Sequence, residues 1–85
     1  MFLMTKLQQG QVFRTLSKVG TLADGEDWLI YEVIELKKKQ YYKLSLASSP
    51  IYRCMAIVTF SELHTALENG LVQLLDKRKI KKKKE

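Results

Sequence analysis

The net charge of this 85-residue chain is concentrated at one end. Residues 77–85 contain seven of the 15 lysines and arginines and one of the nine acidic residues, which accounts for the whole net charge of +6. Like charges at this density repel one another, and a lone Ile80 has no apolar neighbour to bury against. We therefore predict that residues 77–85 form a disordered lysine-rich tail, and that the fold is confined to residues 1–76, whose charges cancel.

Residues 1–76 are long enough for a single small domain with one modest core. The single cysteine, Cys54, excludes an internal disulfide framework and a cysteine-rich zinc site, and its apolar neighbours predict a buried, unreactive thiol. The first residues lack the charge-first order of a secretory signal, and no apolar stretch approaches the ~20 residues of a membrane-spanning helix. We expect a cytoplasmic protein with no membrane span.

Four segments have the composition of β-strands, because β-branched and aromatic residues are frequent in them. They are residues 12–16, 28–36, 41–47 and 51–59. Asp24 and Gly25 predict a turn between the first two segments. The second segment is largely apolar on both faces, which predicts burial on both sides for much of its length. Strict alternation gives it one face made of Trp28, Ile30, Glu32, Ile34 and Leu36.

The second and third segments are predicted to form a hairpin through the lysine-rich stretch between them. An even loop centred after Lys38 pairs Val33 with Leu44, so that the apolar sides of the two strands match. The same register makes Glu32 a diagonal neighbour of Lys43. An odd loop would place Lys43 among the core residues, and we reject it for that reason.

A helix is predicted after the fourth strand from either of two start signals: Thr59 and Glu62 have the spacing of a capping box, and Ser61 can act as the N-cap with Glu62 in the first turn. Its end is open to two interpretations. Asn69 and Gly70 form a suitable left-handed stop, after which a fifth strand would follow. The leucine spacing instead fits one amphipathic helix to about Lys79. We favour this longer helix, because burying another turn of leucine outweighs the ~1 kcal/mol cost of one internal glycine.

The predicted order of elements is four strands followed by a helix. This order gives an α+β fold, in which an antiparallel sheet packs against one C-terminal helix. The sheet has four strands, or five if residues 71–75 form a strand instead of the end of the helix. Because every candidate core residue lies in residues 1–76, deletion of residues 77–85 is expected to leave the fold intact.

Catalytic and metal-binding patterns are weak in this sequence. His64 is the only histidine and has no accompanying carboxylate pair or serine motif, so we interpret it as a surface or half-packed side chain. Asp24, Glu26 and Asp27 lack the alternating oxygen ligands of a calcium loop and are interpreted as a solvated turn. The sequence contains no glycine-rich phosphate loop and no metal-ligand spacing. We therefore expect neither an enzyme nor a cofactor.

Basic side chains and tyrosines are interleaved near the predicted hairpin turn. Lysines contact phosphates and tyrosine rings stack on bases, so this pattern together with the tail favours nucleic-acid binding, either single-stranded or without sequence preference. The predicted contacts are Lys37, Lys38, Lys39, Tyr41, Lys43, Arg53, Lys77, Arg78, Lys79, Lys81, Lys82, Lys83 and Lys84. Two other interpretations stay open: lysines that guard an exposed sheet edge, and a tail that serves solubility or nuclear import.

The second hypothesis is a small adaptor or inhibitor that binds another protein, in which the tail only aids association or solubility. The acidic turn of residues 24–27 lies beside Trp28 and offers an aromatic anchor with a charged rim. A homodimer is a further arrangement. If the helix leaves Trp28, Ile30, Ile34 and Leu36 uncovered, these residues form an exposed apolar strip that a second copy can cover.

Overall fold

The computed structural model of the protein describes residues 7–78. Within this range the elements follow one another as β1 (Gln11–Thr15), β2 (Asp27–Leu36), β3 (Lys39–Leu46), β4 (Ala56–Thr59), α1 (Phe60–Glu68) and β5 (Val72–Lys77). The strands form a single antiparallel sheet in the order β4-β3-β2-β1-β5. The predicted α+β architecture of one antiparallel sheet and one helix is confirmed, and the sheet includes the fifth strand.

The two faces of the sheet differ in what covers them. α1 packs on one face, which we call the helix face, and the buried residues there are Phe13, Val19, Leu22, Trp28, Ile30, Tyr42, Leu44, Val58, Leu63, Ala66 and Val72. The opposite face, which we call the open face, carries a smaller cluster. This cluster consists of Val12, Leu29 and Ala47, with Tyr52 and Leu75 packed against it. Towards the β2–β3 turn the open face is uncovered among residues 7–78, and Leu36 and Ile57 are 58% and 50% exposed there.

A β-bulge at Tyr31 divides β2 into two parts. Ile30 pairs with Leu44 and Glu32 pairs with Lys43, so β2 contains one residue more than β3 at this point. An extra residue leaves the ladder locally unpaired and strengthens the local twist. It also reverses the direction of every side chain that follows, because side chains alternate between the two faces of a sheet.

The bulge overturns the predicted faces of the second strand. Strict alternation placed Trp28, Ile30, Ile34 and Leu36 together. In the structure Trp28 and Ile30 are buried on the helix face. Ile34 pairs with Tyr41 and shares the open face with Leu36. The predicted four-residue apolar strip is therefore wrong: of its members Ile34 is half-buried and Leu36 is exposed.

The β2–β3 hairpin turns one residue earlier than predicted, at Lys37 and Lys38. The loop has two residues, an even number as predicted, but Val33 pairs with Tyr42 instead of Leu44. The alternation of polar and apolar residues fixes only the parity of the register. A shift of two residues leaves every side chain on its face, so the sequence pattern does not distinguish the two registers.

α1 begins at the predicted capping box and ends earlier than we favoured. The Thr59 hydroxyl accepts a hydrogen bond from the Glu62 amide, and the Glu62 carboxylate accepts one from the Thr59 amide, both at 3.0 Å. Asn69 caps the last turn, and Gly70 follows with φ +75°. The longer helix is wrong, because the left-handed glycine ends α1 and residues 72–77 pair with β1 instead.

The connection between β3 and β4 is longer than predicted. Of the predicted fourth strand, residues 51–59, only Ala56–Thr59 forms a strand. Tyr52 packs against the open-face cluster, and Cys54 is exposed, so the prediction of a buried thiol is wrong. Local composition was misleading here, because a loop that packs its apolar residues against a sheet has the same composition as a further strand of that sheet.

Lys77 and Arg78 belong to the folded domain and not to the tail. Lys77 is the last residue of β5, and the Arg78 amide donates to the Gly10 carbonyl at 2.7 Å. The Arg78 guanidinium donates to the Ala47 carbonyl at 2.7 Å and to the Tyr52 hydroxyl at 3.1 Å. The predicted boundary is therefore two residues too early. A deletion that starts at Lys77 removes contacts of the fold, contrary to our expectation.

Candidate nucleic-acid interface

Three of the predicted contact residues lie on the open face of β3. Tyr42 and Leu44 are buried in the core of the helix face, so Lys39, Tyr41 and Lys43 lie on the other face. A rise of ~3.3 Å per residue places Lys39 and Lys43 about 13 Å apart, with Tyr41 between them. Two lysines therefore flank one aromatic ring on a surface that α1 does not cover.

The residues beside Tyr41 and Lys43 come from the neighbouring strands. Tyr41 pairs with Ile34 on β2 and with Thr59 on β4, so no acidic residue lies directly opposite it. Lys43 lies opposite Glu32, and its ammonium is 3.5 Å from Glu32 Oε1, with both side chains partly exposed. An exposed ion pair of this kind contributes ~0–1 kcal/mol, so a phosphate group can compete for Lys43.

Two arginines continue this row of basic residues along β3. The Arg53 amide donates to the Ser45 hydroxyl at 3.1 Å, which places the Arg53 backbone over the open face two residues beyond Lys43. Arg78 follows, because its guanidinium binds the Ala47 carbonyl. We call the whole row the basic track, and it consists of Lys37, Lys38, Lys39, Tyr41, Lys43, Arg53 and Arg78.

The two lysines of the β2–β3 turn have an unusual backbone conformation. Lys37 has φ +50° and Lys38 has φ +67°, so both lie in the left-handed region that two-residue hairpin turns require. Asparagine and glycine favour this turn, whereas lysine costs about 1 kcal/mol at each position. Both side chains are exposed. Hairpin stability therefore does not explain why lysines occupy these two positions. Backbone strain of this kind is typical of functional sites.

The remaining predicted contacts lie away from the track or beyond the described residues. Lys77 is exposed on β5, the strand at the far edge of the sheet. Lys79, Lys81, Lys82, Lys83 and Lys84 lie outside the described residues. The predicted hairpin register already placed Ile34 and Leu36 on the face of Tyr41 and Lys43, and the structure keeps them there. Sequence reasoning missed Ile57, which pairs with Lys43, and it missed the bulge, which leaves no mark in the residue pattern.

His64 is buried, contrary to the prediction of a surface or half-packed side chain. The residue is 1% exposed, and its ring stacks on Phe60 with centroids 4.0 Å apart. His64 Nε2 lies 2.9 Å from the Tyr42 hydroxyl, which also accepts a hydrogen bond from the Leu7 amide at 3.2 Å. This geometry fits a neutral imidazole whose Nε2 accepts a hydrogen bond from the Tyr42 hydroxyl. Desolvation by burial lowers the pKa of His64, and the negative charge of Glu68 opposes this shift. Burial also raises the pKa of Tyr42.

We expect the protein to lose stability as the pH falls below about 6.5. In the unfolded chain His64 takes up a proton near its ordinary pKa of 6.5, whereas burial holds the folded pKa lower. Between the two values the unfolded state binds more protons, so the free energy of unfolding falls by up to ~1.4 kcal/mol per pH unit. Above pH 6.5 this contribution is fully present.

Thermal melts from about pH 8 to about pH 5 measure this effect. His64→Gln is the control, because a glutamine can still bond the Tyr42 hydroxyl but does not titrate. The midpoint of the wild type should fall more steeply with acid than that of the variant. Equal slopes would show that His64 does not carry the pH dependence.

The acidic turn before β2 does not form the predicted aromatic anchor. Trp28 is 8% exposed and lies in the main core, so that part of the prediction is wrong. Asp27 receives hydrogen bonds from Arg14 Nε and Nη2 at 2.7 and 3.2 Å, and this side-chain bond is the main cause that lowers the pKa of Asp27. Within residues 7–78, no three His, Cys, Asp or Glu side chains are grouped so that they could hold a metal ion.

Comparison of the chain with protein-family models, with curated proteins and with solved structures gives no significant match. In the described range, no helix has the length and apolar character that crossing a bilayer requires, and α1 itself has nine residues. An assignment of function therefore depends on the geometry and charge of the open face.

Proposed function

We propose that the protein binds single-stranded nucleic acid along the basic track and has no catalytic activity. The observation that supports this most is the position of Tyr41 between Lys39 and Lys43 on the uncovered part of the open face. A single strand presents both phosphates and base faces, and lysines around a half-buried aromatic ring on an uncovered surface complement both. A duplex would use only the lysines, because its bases stay stacked on one another.

The charge along the track suits a polyanion. From Lys39 to Ala47, where Arg78 binds, β3 and the residue after it rise about 26 Å. In the described part of the chain neither turn lysine forms an ion pair, and the two nearby acids on this face, Glu32 and Asp27, are each engaged by a basic residue. A bound phosphate backbone would therefore meet little uncompensated negative charge.

The basic residues after Arg78 add attraction that is independent of base sequence. Arg78 is held against Ala47 and Tyr52, so the seven residues that follow begin at one end of the track. A segment of this length reaches at most ~24 Å. Its five lysines can therefore contact the same ligand that the track holds, and each contact releases a counterion on binding.

The cytoplasm is the location that we propose for this function. Cys54 is a free, exposed cysteine, and a reducing compartment keeps such a thiol from forming disulfides. Imaging of the tagged full-length chain in its source cells tests this location.

A second candidate function is binding to another protein through the same face. The observation that favours it is apolar exposure, because Leu36, Ile57 and Met55 are 58%, 50% and 46% exposed. The tail would then only speed association with an acidic partner. Affinity capture from source cells separates the two functions. A stoichiometric protein partner that survives nuclease treatment would favour this candidate.

Replacing the turn lysines by Lys37→Asn and Lys38→Gly should stabilise the fold and weaken binding. Asparagine and glycine suit the left-handed turn, so the free energy of unfolding should rise by ~1–2 kcal/mol. Loss of two phosphate contacts should reduce the slope of log affinity against log salt by about 1.4. Chemical denaturation and fluorescence anisotropy with a labelled single-stranded oligonucleotide measure the two effects.

The control for this experiment is Lys18→Gln. Lys18 lines a cleft between the β1–β2 connection and α1, away from the open face, so its loss should leave the salt slope unchanged. If the Asn-Gly variant binds as tightly as the wild type, with the same slope, the turn is not part of the interface.

A further inference from the structure

The sheet has two outer strands, and each outer edge lacks a partner strand among residues 7–78. β4 stands at one end of the strand order and β5 at the other. The unpaired backbone N–H and C=O groups of such an edge can bond to a strand of another chain. Soluble proteins protect their edges with lysine, proline, bulges or very short strands. The two edges of this sheet differ in that protection.

β5 is protected and β4 has little protection. β5 carries Asp76 and Lys77, and its register against β1 contains an irregularity. The four residues of β4, Ala56–Thr59, include no charge and no proline, and their register against β3 is regular. Shortness is the only protection that β4 has. Met55 and Ile57, which lie at this edge, are 46% and 50% exposed.

The two edges differ in how far apart a symmetric contact would hold the two tails. The cationic tail follows β5, so antiparallel contact between two β5 edges would leave the starts of the two tails about one strand length apart, or ~17 Å. Contact between two β4 edges would instead separate the two β5 strands by nine strand spacings, or about 43 Å. This distance is several times the Debye length of ~8 Å at physiological salt, so the repulsion between tails is screened. Pairing at the β4 edge therefore separates the two tails more than pairing at the β5 edge does, and it brings the lysine rows of the two β3 strands to three strand spacings, or ~14 Å, from each other.

We propose that two copies of the chain associate by antiparallel pairing of β4 with β4, about a two-fold axis perpendicular to the sheet. An antiparallel strand pair is self-complementary under such an axis, as a symmetric contact between identical patches requires. The result is one continuous sheet of ten strands, because each copy supplies five. This proposal does not depend on the proposed nucleic-acid function.

The symmetry has consequences for the open face. An axis perpendicular to the sheet keeps both open faces on one side and both copies of α1 on the other. Met55 and Ile57 of the two copies meet beside the axis, which removes apolar surface from water. The two lysine turns lie at opposite ends of the joined sheet, because the axis reverses the strand direction. The dimer therefore leaves Tyr41 accessible on both copies.

Sedimentation velocity of the full-length chain from about 1 to about 500 µM tests the proposal. A four-residue strand pair buries less than the ~1,200 Å² of a standard interface, so the change from monomer to dimer should fall within that range. Ile57→Lys places two like charges beside the axis and should weaken the dimer at least tenfold, which is roughly the effect of one unfavourable charge pair. Leu16→Lys is the matched control, because Leu16 is 53% exposed and lies outside the strands.

Hydrogen exchange gives a second readout that needs no substitution. Amides of residues 56–59 should exchange more slowly at high protein concentration than at low concentration, whereas amides of residues 72–77 should not change. A chain that stays monomeric throughout the range, or a dimer that Ile57→Lys weakens no more than Leu16→Lys does, would overturn the proposal. Protection on β5 instead of β4 would do the same.

Discussion

Deleting residues 79–85 should weaken binding of a single-stranded oligonucleotide by more than about tenfold at low salt, and should leave the thermal midpoint unchanged. The deletion removes five lysines. Each lost phosphate contact lowers the slope of log affinity against log salt by ~0.7 for single strands, so the slope should fall by about 3 to 4. Stability should not change, because the buried residues of the described range lie between Gly10 and Val72.

Two further variants serve as controls for this deletion. Replacing the five lysines of residues 79–85 by glutamine keeps the length and should weaken binding as the deletion does. Starting the deletion at Lys77 should in addition lower stability by roughly 2 kcal/mol, because the bonds of Arg78 to Gly10 and Ala47 are lost. If the shorter deletion leaves the salt slope unchanged, the tail serves solubility only. If it unfolds the domain, the fold extends beyond Arg78.

Gly10→Ala should destabilise the domain by roughly 3 kcal/mol or more. Gly10 has φ +98°, a conformation that side chains other than glycine rarely adopt, and an added Cβ would overlap the Arg78 carbonyl oxygen. The neighbours are backbone and tightly held, because the Gly10 amide donates to the Ile30 carbonyl at 2.8 Å and its own carbonyl accepts from the Arg78 amide. Chemical denaturation measures the loss.

Gly25→Ala is the matched control for that substitution. Gly25 also has positive φ, +76°, but no atom outside its immediate chain neighbours lies within 4 Å of an added Cβ. Its cost should therefore be limited to the backbone strain of about 1 kcal/mol. Equal losses of unfolding free energy at the two positions would show that the close approach of Gly10 to the Arg78 carbonyl adds nothing to the cost of Gly10→Ala.

Local signals in the sequence predicted much of the fold. The capping box at Thr59 and Glu62 fixed the start of α1, and composition located β1, β2 and β3, because both depend on nearby residues. The end of α1 was mistaken because one leucine pattern fits both a helix and a strand on a free sheet edge. The choice depends on whether β1 offers that edge to residues 72–77, which is a property of the whole fold.

The candidate site was also predicted only in part, because the sequence shows local patterns and does not show how the strands pair. Alternation within β3 correctly separated Tyr41 and Lys43 from Tyr42, since this needs only the period of a strand. The hairpin register and the bulge at Tyr31 were not predictable, because neither changes the local composition. The strained turn became visible only in the backbone angles of Lys37.

A backbone-amide NMR titration of the full-length chain with a single-stranded oligonucleotide, repeated across salt, tests whether the basic track binds nucleic acid. We expect binding that weakens steeply as salt rises, with the largest shifts at residues 37–43 and around Arg53, and none at exposed residues of α1 such as Thr65. Absence of binding at low salt, affinity that does not respond to salt, or chemical-shift changes confined to α1 would contradict binding along the basic track.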